Sequence, residues 1–250
     1  MLSRVGTEDP SVRLACQLRP TTDLSFFQLF MPTTASANAH ASEPARVGQE
    51  RYLVSLFVDM RGSTRLAEKM LPFDTVFVVN RFLAAVSQAV IECGGRPNQF
   101  VGDGMLALFG LTNSAQAACR QAIRAASLIS GNINELNQFL SHDLREPIRF
   151  GIGIHGGEVI VGDIGYRDHM VFTALGDAVN VAARLQDLTK TLFCEAIISE
   201  EVRVTAGLGD NDLLLQEVEI RGRAEPMVVG VVAEANSLAA LVDGLGAIAA

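Results

Sequence analysis

The sequence predicts a mixed α/β (α+β) fold, in which a βαββαβ core forms a mostly antiparallel sheet covered by helices. Three features predict it: a short apolar run followed by a long helical stretch, two glycine-centred alternating segments, and three apolar runs after an amphipathic helix.

Residues 33–48, TTASANAHASEPARVG, are small, polar and aperiodic, which is how a linker reads, so a boundary is expected near residue 48. The expected organisation is an N-terminal extension over 1–48, a main domain over 49–235 and a C-terminal tail over 236–250. Beyond the linker, YLVSLFVDM (52–60) is short and apolar enough for a buried strand, and Pro72 opens a helical stretch that stops at Gly94-Gly95. NQFVGDGMLALFG (98–110) places two apolar runs around Gly-Asp-Gly, a hairpin signal. Ser114 to about Leu140 is an Ala-rich helical segment carrying Arg120 and Arg124. IRFGIGIHGGEVIVGDIG (148–165) alternates and predicts another glycine-rich turn at its centre. From Gly176 to about Leu188, Ala178, Val181, Leu185 and Leu188 form one apolar stripe of a helix. Strands are expected at 195–199, 214–220 and 226–232, which add C-terminal strands to a ferredoxin-like core. No internal repeat is visible.

The chain has 250 residues, enough for one domain plus an extension. With 49% hydrophobic residues, 19% charged and a mean hydropathy of +0.27, it has the composition of a globular chain. Twenty Lys and Arg against 28 Asp and Glu give a formal charge of −8, which disfavours a polynucleotide partner because no broad positive surface can release counterions. A polyphosphate ligand would then require divalent cations or a few well-placed arginines. Apolar stretches are cut by charges before the ~18 residues of a membrane span, and Arg4, Glu8 and Asp9 spoil a signal-peptide reading. Cys16, Cys93, Cys119 and Cys194 form no C-x-x-C pair, and a reducing, cytoplasmic setting is expected.

The chemistry concentrates at a few positions. Asp59 ends an apolar strand and precedes MRGST, so its carboxylate should face a cleft. The amides of residues 60–64, including Gly62, Ser63 and Thr64, should form an anion cradle at the start of a helix. Asp103 tips the hairpin. In a βαββ unit the first and third strands are neighbours, so the two carboxylates can converge and hold hard divalent cations on a triphosphate. Taken singly, Asp59 reads as a helix cap and Asp103 as a turn residue; the pair is the stronger signal. Asn180 and Arg184 share a helix face at i and i+4, alone a solvated boundary. Arg221 and Arg223 alone read as edge-strand charges.

Together FVDMRGST, NQFVGDGMLALFG, GIGIHGGEVIVGDIG, FTALGDAVNVAARL and VEIRGR, in this order, resemble the class III nucleotidyl cyclase catalytic domain of bacterial type, over roughly residues 50–232. The resemblance implies that Asp59 and Asp103 ligate two Mg²⁺ or Mn²⁺ ions, that Asn180 orients the ribose, and that Arg184 meets transition-state charge. It places Arg221 where the family has a basic residue for the terminal phosphates. It also implies a head-to-tail homodimer, each site combining the carboxylates of one chain with the Asn and Arg of the other. The implied reaction is conversion of ATP to 3′,5′-cyclic AMP.

One departure concerns the base. Adenine-reading members carry a Lys two residues before the hairpin Gly-Asp and an Asp or Thr on a later strand; here those positions hold Gln99 and Thr173. A Gln amide and a Thr hydroxyl can each donate and accept, so weak selectivity is expected, with ATP preferred and GTP a poorer substrate or competitor. His155 reads as a structural strand residue on the second hairpin, and His169 as a solvated loop residue. VRLACQLRP, around Cys16, resembles the end of a plant-type [2Fe-2S] ferredoxin domain, but a cluster needs four thiolates, so no iron–sulfur cluster is expected in this chain alone. The competing readings are a guanylate or dual-specificity cyclase, a diguanylate cyclase (whose GGDEF tip is VGDG here), a non-catalytic nucleotide-binding module, and a structural partner domain without nucleotide binding.

Overall fold

The computed structural model describes residues 48–166, 169–223 and 225–247. The extension, with Cys16, lies outside them. The first strand, β1 (Gln49–Arg61), alternates along most of its length: Val54, Leu56, Val58 and Met60 point to one side of the sheet, and Leu53, Phe57 and Asp59 to the other. Two turns of helix, α1 (Ser63–Lys69), follow Gly62, whose φ of 74° is the left-handed conformation that glycine adopts without strain. Helix α2 (Pro72–Glu92) starts on its proline and buries Val78, Phe82, Val86, Ala89 and Val90. By length and composition alone α2 could cross a membrane, but that stripe packs into the main core, as a core helix does.

The hairpin of β2 (Arg96–Val101) and β3 (Gly104–Phe109) turns on Gly102 and Asp103 as expected, and β3 is buried throughout. Helix α3 (Ala115–Phe139) is capped by Ser114, whose hydroxyl accepts from the Ala117 amide at 3.3 Å. It presents an Ala-rich buried face, which lets the helix approach α2 and the sheet closely.

The alternating segment 148–165 corrects one expectation. It is not a hairpin but a single strand, β4 (Arg149–Tyr166), running straight through Gly156 and Gly157, which pair with Val54 and Leu53 of β1. These glycines serve close packing: a Cβ on Gly156 would lie 2.3 Å from the Tyr52 hydroxyl, and one on Gly157 3.0 Å from the Ala178 methyl. His155 therefore sits in mid-strand, opposite Ser55. The true hairpin partner is β5 (His169–Leu175), so His169 starts a strand instead of lying in a loop.

Helix α4 (Asp177–Thr191) is followed by β6 (Ala196–Ser199), α5 (Glu200–Ala206), β7 (Leu214–Val218) and β8 (Met227–Val232). Residues expected to form a tail include a 3-10 turn (Ala235–Ser237) and helix α6 (Leu238–Ala247), whose Leu238 and Val242 are buried in the main core. The sheet order is β2-β3-β1-β4-β6-β8-β7, with β5 on the far half of β4; among the described residues only the β4–β6 pair is parallel. Helices α2, α3, α5 and α6 contribute to the large core on one face. The other face carries α4 over two smaller clusters, one with Leu53, Leu106 and Leu108, the other with Val181, Leu185 and Ile197. Cys93, Cys119 and Cys194 are free, buried thiols, filling space as small apolar side chains do.

Candidate active site

Asp59 lies on the α4 side of the sheet, near the end of β1, and is flanked by glycine on both sides: Gly104 of β3 and Gly151 of β4. The absence of side chains there leaves room around the carboxylate; a Cβ on Gly104 would come within 2.9 Å of Asp59 Oδ1. Asp103 is the turn residue immediately before Gly104, so the β1–β3 register brings together two carboxylates 44 residues apart in sequence. Their interaction is visible in the Asp59 carboxyl, pushed above its ordinary range first by burial and then by the charge of Asp103; Lys190 opposes the shift and Asp187 adds to it. Asp103 Oδ2 is buried with no hydrogen-bond partner among the described residues. An orphaned carboxylate oxygen beside a second, destabilised carboxylate fits a hard divalent cation. Among the described residues no cluster of three or more His, Cys, Asp or Glu forms, so further oxygen ligands would come from a bound phosphate, from backbone carbonyls or from water.

Gly62, Ser63 and Thr64 open α1 just beyond Asp59, and no side chain caps that helix start. Gln99 and Thr173 are in direct contact, the Gln99 amide Nε2 donating to Thr173 Oγ1 at 3.1 Å. Gln99 pairs with Leu106, which in turn pairs with Phe57, so the contact lies on the Asp59 face of the sheet.

Asn180 is exposed on α4, away from this cluster. Arg184, one turn further on, lays its guanidinium against the turn after β7: a Cβ on Gly222 would sit 3.3 Å from its Nη1. Arg221 is exposed in the same turn, which Gly222 makes with a φ of 84°, and Arg223 reaches Asp177 at 3.9 Å. Arg221 and Arg223 are thus turn residues, because β7 ends at Val218. The predicted residues accordingly form two groups within one chain: Asp59, Asp103, Gln99 and Thr173 on the β1–β3 side, and Asn180 and Arg184 on α4 with Arg221 in the turn that Arg184 faces. Sequence reasoning missed Lys190, whose Nζ lies 3.8 Å from Asp59 Oδ2, and Asn98, hydrogen-bonded to Thr173. Lys190 had a signal, being one of two lysines in the chain; Asn98 had none.

The fold is thus a mostly antiparallel sheet on a βαββαβ core, with a carboxylate pair where β1 meets the β2–β3 turn. Residues 49–228 match the model of the adenylate and guanylate cyclase catalytic domain, and the chain belongs to that family. It is 32% identical over 186 residues to an adenylate cyclase of Anabaena cylindrica, covering 72% of this chain and 36% of that protein. It is 33% identical over 189 residues to an uncharacterized protein of Mycobacterium tuberculosis, covering 72% and 32%. The chain thus spans about a third of the length of these relatives. Among solved structures, the guanylyl cyclase Cya2 superposes with a TM-score of 0.66 at 28% identity, covering 74% of this chain and 93% of that one. The adenylyl cyclase CyaB from P. aeruginosa superposes with a TM-score of 0.63 at 23% identity (74% and 96% covered), a likeness of fold. Domains of this class use divalent metals, bind nucleoside triphosphates and work as dimers.

Proposed function

We propose that the chain is an adenylate cyclase, converting ATP to 3′,5′-cyclic AMP and pyrophosphate in sites shared across a homodimer. The observation that carries this reading is the Asp59–Asp103 pair, with its orphaned oxygen and raised carboxyl. In the reaction the ribose 3′-hydroxyl gives up its proton to solvent water, a bond forms between O3′ and the α-phosphorus, and the bond from that phosphorus to the bridging oxygen breaks, releasing pyrophosphate.

Asp59 and Asp103 would hold Mg²⁺ or Mn²⁺, which when bound lowers the pKa of the attacking hydroxyl and neutralises the phosphates. The remaining work falls to the chain itself. Asn180 of one protomer orients the ribose, so that the 3′-hydroxyl is in line with the α-phosphorus. Arg184 on the same helix face meets charge as it grows on the phosphate, and Arg221 holds the terminal phosphates that leave as pyrophosphate. The amides at Gly62, Ser63 and Thr64, which open α1 just beyond Asp59, would receive the phosphate chain.

Guanylate or dual-specificity activity is the second reading, favoured by the Gln99–Thr173 contact, where adenine-reading members carry a Lys. The deciding experiment is incubation of purified protein with ATP or GTP and Mn²⁺, with products separated by chromatography. Cyclic AMP as the main product supports the first reading, cyclic GMP the second, and no cyclic product from either nucleotide overturns both.

A further inference from the structure

We infer that Asn98 and Thr173 lock the Gln99 amide with its carbonyl oxygen toward the nucleotide site, so that the base is recognised through a hydrogen-bond donor on its Watson–Crick edge. This rests on the cyclase reading, which makes Gln99 the base contact, and adds Asn98 as a positioning residue.

The backbone makes the relay possible. In a regular strand, adjacent side chains point to opposite faces, and Asn98 and Gln99 would diverge. The β2–β3 register slips here: Pro97 pairs with Ala107 and Gln99 with Leu106, leaving Asn98 as the extra residue of a bulge. A bulge re-aims a side chain. Both amides consequently reach Thr173 on β5, which is 3% exposed and therefore shielded from competing water.

Its polarity has one solution. The Phe172 backbone carbonyl can only accept, so Asn98 must turn its Nδ2 toward it, and does so at 2.6 Å. That leaves Asn98 Oδ1, which can only accept, facing Thr173, and the Thr173 hydroxyl donates to it at 2.7 Å. With its single proton committed, Thr173 offers Gln99 a lone pair, and Gln99 presents Nε2 to it at 3.1 Å. Reversing either amide would set oxygen against oxygen. Gln99 Oε1 remains, and no hydrogen bond to it forms among the described residues. The rotation expected from the sequence, in which Gln99 and Thr173 adapt to either purine edge, is thereby removed.

An acceptor fixed in this way takes the N6 amine of adenine or the N1–H of guanine equally well, so it should discriminate poorly between ATP and GTP. It rejects a purine whose edge has no donor. The probe is purine riboside 5′-triphosphate, which has neither a 6-amino group nor an N1–H and no added bulk.

Affinities of ATP and of purine riboside 5′-triphosphate are measured by competition against a fluorescent ATP analogue, alongside cyclic product formation. Wild type should bind the purine riboside compound at least about tenfold more weakly than ATP. In Asn98→Leu the amide is free to turn Nε2 outward and donate to purine N1, so the ratio should fall to within about twofold. Asn98→Leu combined with Gln99→Glu should restore discrimination, because a carboxylate accepts whichever way it turns. If Asn98→Leu fails to fold, Thr173→Val carries the same comparison. Equal affinities in wild type, or an unchanged ratio in folded Asn98→Leu, overturn the relay. Discrimination without any cyclic product overturns the cyclase reading and leaves the relay standing; cyclic AMP formation without discrimination does the reverse. No nucleotide binding at all overturns both.

Discussion

Lys190 Nζ stands 3.8 Å from Oδ2 of Asp59 and 3.0 Å from Oδ1 of Asp187, tying the C-terminal end of α4 to the carboxylate site. Asn180 lies ten residues earlier on the same helix, about 15 Å back along its axis, and Arg184 about 9 Å back. A triphosphate seated on Asp59 and Asp103 is therefore far from the Asn180 and Arg184 of its own chain. In the proposed homodimer a second protomer, set head to tail, would supply them.

A complementation experiment follows. Asp59→Ala and Arg184→Ala chains should each be inactive, and mixing them should restore activity, since half of the sites in a mixed dimer carry neither lesion. Recovery is expected to be partial, no more than about a quarter of wild-type activity for random pairing of equal amounts. A mixture that stays inactive after subunit exchange has been demonstrated would place the whole site within one chain.

Asp59→Asn and Asp103→Asn should each reduce turnover by on the order of 10³-fold, as expected when a metal ligand is lost. Neither should lower the melting temperature. The Asp59 carboxyl is already raised by burial and by Asp103, so a neutral amide relieves repulsion in the folded state. Steady-state rates and thermal unfolding of the same preparations separate the two effects, and full turnover by both variants would refute the metal assignment.

Gly153→Ala tests how α4 is seated. A Cβ at Gly153 would lie 2.2 Å from the Ala182 carbonyl oxygen and 2.3 Å from the Gln186 amide nitrogen, both backbone atoms of α4, so the helix would have to lift off the sheet. Overpacking of this kind costs about 1–3 kcal/mol or more. Denaturant unfolding reads it directly, and a loss below about 0.5 kcal/mol would show that α4 is not tightly seated there.

The strand that holds Gly153 also shows where sequence reading stopped. Along β4, Ile152 and Ile154 are buried in the large core and Val159 and Val161 in the opposite cluster, so the apolar phase shifts by one residue at Gly156-Gly157. A phase shift at a glycine pair looks like two strands and a turn. Here it marks one strand whose buried side changes from one face of the sheet to the other. Helices α1 and α5, at seven residues each, are too short for a periodic signal, and α6 follows a segment with no strong start signal. The carboxylate pair was legible because Asp59 and Asp103 each end an apolar run, and because first and third strands of a βαββ unit pair. The exact register of the Asn98 bulge was not legible: Pro97 in RPNQFV signals an edge strand or a bulge, but which residue is extra depends on the partner strand.

His155 gives the fold a pH dependence of predictable sign. It is 8% exposed, and burial, reinforced by Arg223 and opposed by Asp177, lowers its pKa from 6.5 to about 4. Its Nδ1 is buried without a hydrogen-bond partner among the described residues, so the fold holds the neutral ring. The unfolded chain binds a proton on this residue below pH 6.5, while the folded chain does not until about pH 4. The stabilisation from His155 is therefore complete above pH 6.5 and is lost as pH falls toward 4, by up to about 3 kcal/mol. Denaturant unfolding across that window should show wild type losing stability, and His155→Gln, which has no proton to gain, losing less of it. Parallel curves for the two proteins would mean that His155 titrates alike in the folded and unfolded chains.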